Sequence, residues 1–172
     1  YYLLDTGVDA QNRAPVPGTL KGLICARFDR LSFKAKRILQ EAAVIGIRFT
    51  VPVLQAIDPE LSPDHLQELH QTGFIAPLDA DTYCFRHAVS REAAYESLLK
   101  RDREILHASI GSVLEGLSGT DSPDILATHF CRGHDYHKAV RYSLLAADRC
   151  RDSGAWVEAA VHYANAELAL QC

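Results

Sequence analysis

A mainly helical chain with one small β-hairpin is what this 172-residue sequence predicts. Three observations carry that expectation. Apolar residues recur at three- and four-residue spacing over most of the length, helix start and stop signals bracket those stretches, and two β-prone runs flank a turn-forming DADT at Asp79 to Thr82.

The opening YYLL is a candidate short strand, and the turn-rich DTGVDAQNRAPVPG after it reads as a connector from an upstream domain, covering residues 1–17 and ending near Pro17. Leu20, Leu23, Ile24, Phe28 and Leu31 then give one apolar helical face from about Thr19 to Arg30. Ser32 interrupts. Lys34 to Val44 repeats the pattern with Ala35, Ile38, Leu39 and Ala42, and Gly46 closes it as a C-terminal cap, so the two helices are expected to pack together. Val51 to Ile57 leaves room for one short helix before Pro59. Ser62-Pro63-Asp64 supplies an N-cap, a first-position proline and a first-turn acid for a helix that carries Leu66 and Leu69 and stops at Gly73.

FIAPL (Phe74 to Leu78), DADT and YCFRH (Tyr83 to His87) read as two strands joined by a tight connection. Three helices followed by a hairpin is the order of a winged helix. A helix from about Val89 to Leu99 leaves the hairpin, and a longer one carries Leu106, Ile110, Val113, Leu114 and Leu117 on one face. GLSGTDSP (Gly116 to Pro123) is a linker by composition and marks a boundary, giving a winged-helix-like domain over 18–118 and a second region over 124–172. In that second region Gly133 precedes Tyr136, Ala139 and Tyr142, and Gly154 precedes Trp156, Ala159 and Tyr163. A glycine, an aromatic and then small residues where helices approach closely is the chemistry of tetratricopeptide-like helical hairpins, so 124–172 is expected to begin such an array.

Composition narrows the function. With 48% hydrophobic and 23% charged residues the chain can bury a core, and a net charge of -4, from 18 basic and 22 acidic residues, gives no electrostatic reason to expect nucleic acid or an anionic membrane as partner. Cys25, Cys84, Cys131, Cys150 and Cys172 are an odd, scattered set that reads as reduced thiols in a cytoplasmic protein. The chain has no Met and begins and ends within sequence that looks continuous, so a piece of a longer protein is expected.

TLKGLICARFDRL, AKRILQEAAVIG, FRHAVSREAAYESLL and LHASIG together resemble the region after the nucleotide-binding domain of STAND-type signalling ATPases, from about Pro17 to the C-terminus. That group includes regulatory proteins with class III adenylate or guanylate cyclase domains and transcription regulators related to the maltose activator. In it, and in the related NB-ARC proteins, a Met-His-Asp motif at the start of a winged-helix-domain helix brings its histidine to the β-phosphate of ADP. The matching triplet here is Arg86-His87-Ala88, so the resemblance implies a phosphate-sensing role for His87 alone, without the motif's aspartate. On physical grounds, a histidine at a helix N-terminus sits beside backbone N–H groups and the positive end of the dipole, and Arg86 adds a charge-assisted contact. The competing reading is structural: one of the pair faces solvent and the other ties hairpin to helix by a hydrogen bond.

No GxxxxGK[ST] loop and no GxSxG or cysteine-centred nucleophile motif is present, so the chain is expected to be neither an ATPase core nor another enzyme, with ADP or ATP held by an upstream domain. His129, Cys131, His134 and His137 form the densest set of metal-ligand types, but H-x-C-x2-H-x2-H matches no common structural zinc spacing and no metal is expected. The helix Pro63 to Gln71 would be the recognition helix of a DNA-binding winged helix. It carries Asp64 and Glu68 with no lysine or arginine, and the DADT wing tip is acidic, which disfavours DNA. The basic cluster Lys100-Arg101-Asp102-Arg103 reads as a solvated helix start. The function expected is a non-catalytic regulatory and interaction module that couples the nucleotide state of a neighbouring ATPase domain to an output and meets a protein partner through the helical array. A stand-alone protein-binding scaffold is the alternative.

Overall fold

The computed structural model describes residues 18–118 and 122–171. The expected connector 1–17, part of the linker and Cys172 lie outside the described residues. The described chain is mainly helical with one three-stranded antiparallel sheet, in the order α1 (Gly18–Asp29), α2 (Phe33–Ile45), β1 (Arg48–Thr50), α3 (Val51–Ile57), α4 (Pro63–Gln71), β2 (Ile75–Pro77), β3 (Thr82–Phe85), α5 (Ala88–Glu96), α6 (Lys100–Ser118), α7 (Pro123–Arg132), α8 (Tyr136–Asp152) and α9 (Trp156–Leu170). It divides into two compact units between Leu106 and His107, inside α6. The reason lies in α6 itself. From His107 on, its side chains pack with α7 and α8: His107 meets His129, Gly111 lies under Phe130, and Glu115 accepts from Lys138.

In the unit ending at Leu106, α2 is the central element. Ser32 Oγ caps it by accepting from the Ala35 N–H at 3.2 Å, and Glu68 of α4 in turn accepts from the Ser32 N–H at 2.9 Å and its hydroxyl at 2.8 Å. Ala35, Ile38, Leu39 and Ala42 are fully buried, as their spacing predicts. Around them close Phe28 and Leu31 from α1 and the α1–α2 turn, Leu54 from α3, and Leu66 and Leu69 from α4. One expected core position differs. Leu23 is 59% exposed, because the buried stripe of α1 runs through Ile24 and Phe28 and leaves it on the outer face.

Gly73, at φ 73°, ends α4 with its own N–H donating to the His70 carbonyl and the Phe74 N–H to the Leu69 carbonyl. The expected hairpin follows, with Ile75 opposite Phe85 and Pro77 opposite Tyr83, and Pro77 on an edge strand where its missing N–H costs nothing. Asp79 Oδ1 builds the turn by accepting from the N–H groups of Asp81 and Thr82 at 3.0 and 2.8 Å. A third strand, β1, was not expected. It pairs Phe49 with Tyr83 and makes β3 the middle strand, with Phe49 packed against both Tyr83 and Phe85. Three residues are too few to show a period of two, so this pairing is visible only in three dimensions.

In the other unit, Phe130 stacks on Tyr142 with centroids 5.6 Å apart, and Leu126, Ala127, Ala139 and Ala169 fill the space around them. Ile110 of α6 is fully buried, whereas Leu117, expected on the same face, is 58% exposed. No helix among the described residues is long and apolar enough to cross a membrane.

Candidate functional site

His87 is the N-cap of α5. Its backbone is extended, with φ -138° and ψ 131°, and its carbonyl accepts from the N–H groups of Ser90 at 3.0 Å and Arg91 at 3.4 Å, so the strand-to-helix change happens at this residue. The imidazole is exposed and makes no capping hydrogen bond. Capping normally draws on Ser, Thr, Asp or Asn; a histidine here leaves first-turn N–H groups unsatisfied by its side chain. Arg86 is exposed too, yet its Nε donates to the Ile75 carbonyl at 3.3 Å, and the Arg86 N–H donates to the Phe74 carbonyl at 3.0 Å. Arg86 therefore ties β3 to β2 while the His87 ring points into open space at the head of a nine-residue helix.

That helix is firmly held. Arg91 Nε donates to the Ala43 carbonyl near the end of α2 at 2.9 Å, its guanidinium lies 5.8 Å from the Tyr95 ring, and Ala94 is fully buried against the core. A histidine on such a support has a defined position relative to whatever lies beyond it.

The four metal-ligand candidates are not gathered into one place. His129 is buried in α7, its Nδ1 3.0 Å from Nδ1 of His107, so one ring carries the proton and the other accepts it. His134 sits in the α7–α8 turn with its Nδ1 2.8 Å from the Tyr136 hydroxyl, and His137 is exposed on α8. Among the described residues no group of three or more His, Cys, Asp or Glu is arranged to hold a metal ion. Cys25, Cys84 and Cys150 carry free thiols.

Two features escape a reading of the sequence. His107 shares a helix face with Ile110 and Leu114 at i, i+3 and i+7 and is buried, but its partner 22 residues away is set by the fold. Glu41 occupies the apolar stripe of α2 three residues after Ile38 and is 3% exposed. Burial pushes its carboxyl up, and the charge of Asp58 adds to this, while the Arg37 guanidinium, 3.0 Å away, works against both. Asp58, also 3% exposed, is pushed up by burial too, but hydrogen bonds from the Lys34 ammonium at 2.9 Å and the Glu60 N–H at 3.1 Å outweigh this and leave it below the usual carboxylate range.

The fold and this geometry define a mainly helical protein with one small antiparallel sheet. No family model matches the chain, and no solved structure matches it. Over 135 residues it is 27% identical to an uncharacterized protein of Rhizobium meliloti (strain 1021), a match covering 73% of this chain. The matched stretch spans 13% of that relative's length.

Proposed function

We propose that this chain is a non-catalytic regulatory and interaction module of a STAND-type ATPase, in which a winged-helix unit reads the nucleotide held by a neighbouring ATPase domain through His87. The observation that carries the reading is the state of His87: an exposed imidazole, unused in capping, at the N-terminus of a well-anchored helix. Backbone N–H groups and the helix dipole make that point favourable for phosphate oxygens, and ADP and ATP differ in where their terminal charge lies. A switch requires a contact that differs between two states, and a histidine reaching the β-phosphate supplies one. Arg86, partly committed to Ile75, contributes long-range positive charge.

The order α2 to α4 and then the β2–β3 hairpin supports the winged-helix reading, and the α7–α8–α9 succession with small residues at its contacts supports a tetratricopeptide-like start. A shallow groove within α7–α9, lined among others by Thr128, Arg132, Ser143, His162 and Asn165, is the surface this reading gives to a protein partner. The small share of the relative's length that the match covers is consistent with a module embedded in a multidomain protein. DNA is disfavoured further, since Glu68 of α4 is engaged with Ser32 and neither lysine nor arginine stands on that helix.

The test is a calorimetric titration of ADP into the protein including its nucleotide-binding domain, parent against His87→Ala. The substitution is expected to weaken ADP about tenfold, near 1.4 kcal/mol. Unchanged affinity in a folded variant would overturn the sensor role and favour the scaffold reading, which the exposed Trp156, Val157 and Leu170 of α9 suit.

A further inference from the structure

Glu41 has a second oxygen with nothing to bond to. Its Oε1 accepts from Arg37 Nε, but Oε2 is buried without a hydrogen-bond partner. A buried carboxylate oxygen left in that state carries a desolvation cost that native structures ordinarily avoid, so its setting needs explaining. The residue lines a cleft of about 330 Å³ between α2 and the α5–α6 corner, all within the unit that ends at Leu106. Leu98, Ile105 and Leu106 form apolar walls, Asp102 stands exposed at the rim, and Gln40, whose Nε2 donates to Ser97 Oγ at 2.9 Å, closes one end. Ile105 is 57% exposed, so the apolar wall is open to a visitor.

The charges are unequal. Two carboxylates, Glu41 and Asp102, face the cleft against the single guanidinium of Arg37, which is already bonded to Oε1 and lies mostly in solvent. What fits is a group that is apolar along its length and cationic at its end. We propose that this cleft binds a cation carried on an aliphatic stem, an alkylguanidinium or alkylammonium, whose head meets Glu41 Oε2 and Asp102 while its methylenes lie on Leu98, Ile105 and Leu106. Such a head supplies the donor that Oε2 lacks, and a charge-assisted bond in a partly desolvated cleft is stronger than the same bond in water. The source is a free small amine or the arginine or lysine side chain of another polypeptide; the recognition chemistry is shared.

The experiment is an NMR titration of the isotope-labelled chain with butylguanidinium and then with butylurea, its uncharged counterpart of the same shape. Butylguanidinium is expected to shift the amides of residues 40–41 and 98–106 saturably, with butylurea at least about tenfold weaker. Asp102→Asn, on the exposed rim where folding is not at stake, is expected to weaken the cation about threefold or more, and Glu41→Gln to remove saturation. No saturable shift, shifts confined to other residues, equal binding of the urea, or an unaltered affinity in Asp102→Asn would each overturn the proposal. Agmatine compared with capped arginine, Nα-acetylarginine methylamide, then separates the sources: tighter agmatine marks a free amine, and capped arginine at least as tight marks a side chain presented by a partner.

Discussion

Gly133 stands where a methyl group has no room. A Cβ built there lies 2.6 Å from the Ala108 backbone nitrogen and 2.8 Å from its Cα, and backbone in the middle of α6 cannot swing aside as a side chain can. The φ of Gly133 is -87°, which any residue adopts, so the glycine answers a need for space and not for conformation. Gly133→Ala is therefore expected to push α7 off α6 and to cost about 1–3 kcal/mol, the range for overpacking a tight contact. The check is the urea midpoint, with Gly22→Ala as reference. Nothing lies within 4 Å of a Cβ at Gly22, and alanine in the exposed interior of α1 should gain about 0.5–1 kcal/mol. If the two alanines behave alike, the close approach of α6 and α7 is not what holds Gly133.

At the scale of elements, the α7–α8 and α8–α9 turns are built alike. The Asp135 N–H donates to the Phe130 carbonyl at 2.9 Å and the Ala155 N–H to the Cys150 carbonyl at 2.8 Å; one residue earlier His134 donates to Cys131 and Gly154 to Arg151. Each is a Schellman ending with one left-handed residue: His134 at φ 62° and Gly154 at φ 81°. Gly154 has open space around it, so Gly154→Ala should lose about 1 kcal/mol from backbone conformation alone. His134→Gly should cost less than about 1 kcal/mol, since relief of strain opposes the loss of the hydrogen bond to the Tyr136 hydroxyl and the added freedom of the unfolded chain. Thermal unfolding of both variants decides it, and a neutral Gly154→Ala would show that the turn relaxes out of the left-handed region. These turns also show how far sequence reading reaches. It aligns Gly133 with Gly154, but in the structure Gly154 corresponds to His134, one residue on, because the two glycines serve different ends: contact in one case, dihedral angle in the other. Helices with local signals, Ser32, Ser62-Pro63 and Gly73, were legible to within a residue or two, and so was His87 at the junction of hairpin and helix. β1, the His107–His129 pair and the cleft at Glu41 were not, since each depends on partners many residues away that only folding brings close.

At the scale of the molecule, the carboxylates among the described residues set the response to acid. Asp58 is held below its ordinary range by Lys34 and Glu60, as described, Glu60 by the same Lys34 ammonium, Asp79 by the Asp81 N–H and the Thr82 side chain, and Glu115 by hydrogen bonds from Lys138 and Tyr142. Glu41 moves the other way, pushed up chiefly by burial. A carboxylate whose folded value lies below its unfolded one binds fewer protons in the native state, so its contribution is present above the unfolded value, about 4, and is lost as pH falls through the folded one. For Glu41 the sign reverses. Its charged form is the disfavoured one in the fold, so it costs stability at neutral pH and returns that cost as it takes up a proton. Among the described residues, four lowered carboxylates against one raised one make the net trend a loss of stability below about pH 4. Glu41→Gln removes the opposing member: the variant should have a higher urea midpoint than the parent at neutral pH, and the advantage should shrink on acidification as the parent's Glu41 protonates. Urea midpoints of both proteins measured from about pH 7 down to about pH 3 read the trend directly. A parent midpoint that holds level would mean that these contacts persist in the unfolded chain, and one that rises toward acid would mean that Glu41 outweighs the lowered carboxylates. An advantage that stays constant with pH would mean that Glu41 is already protonated throughout, its carboxyl held neutral by the core around it.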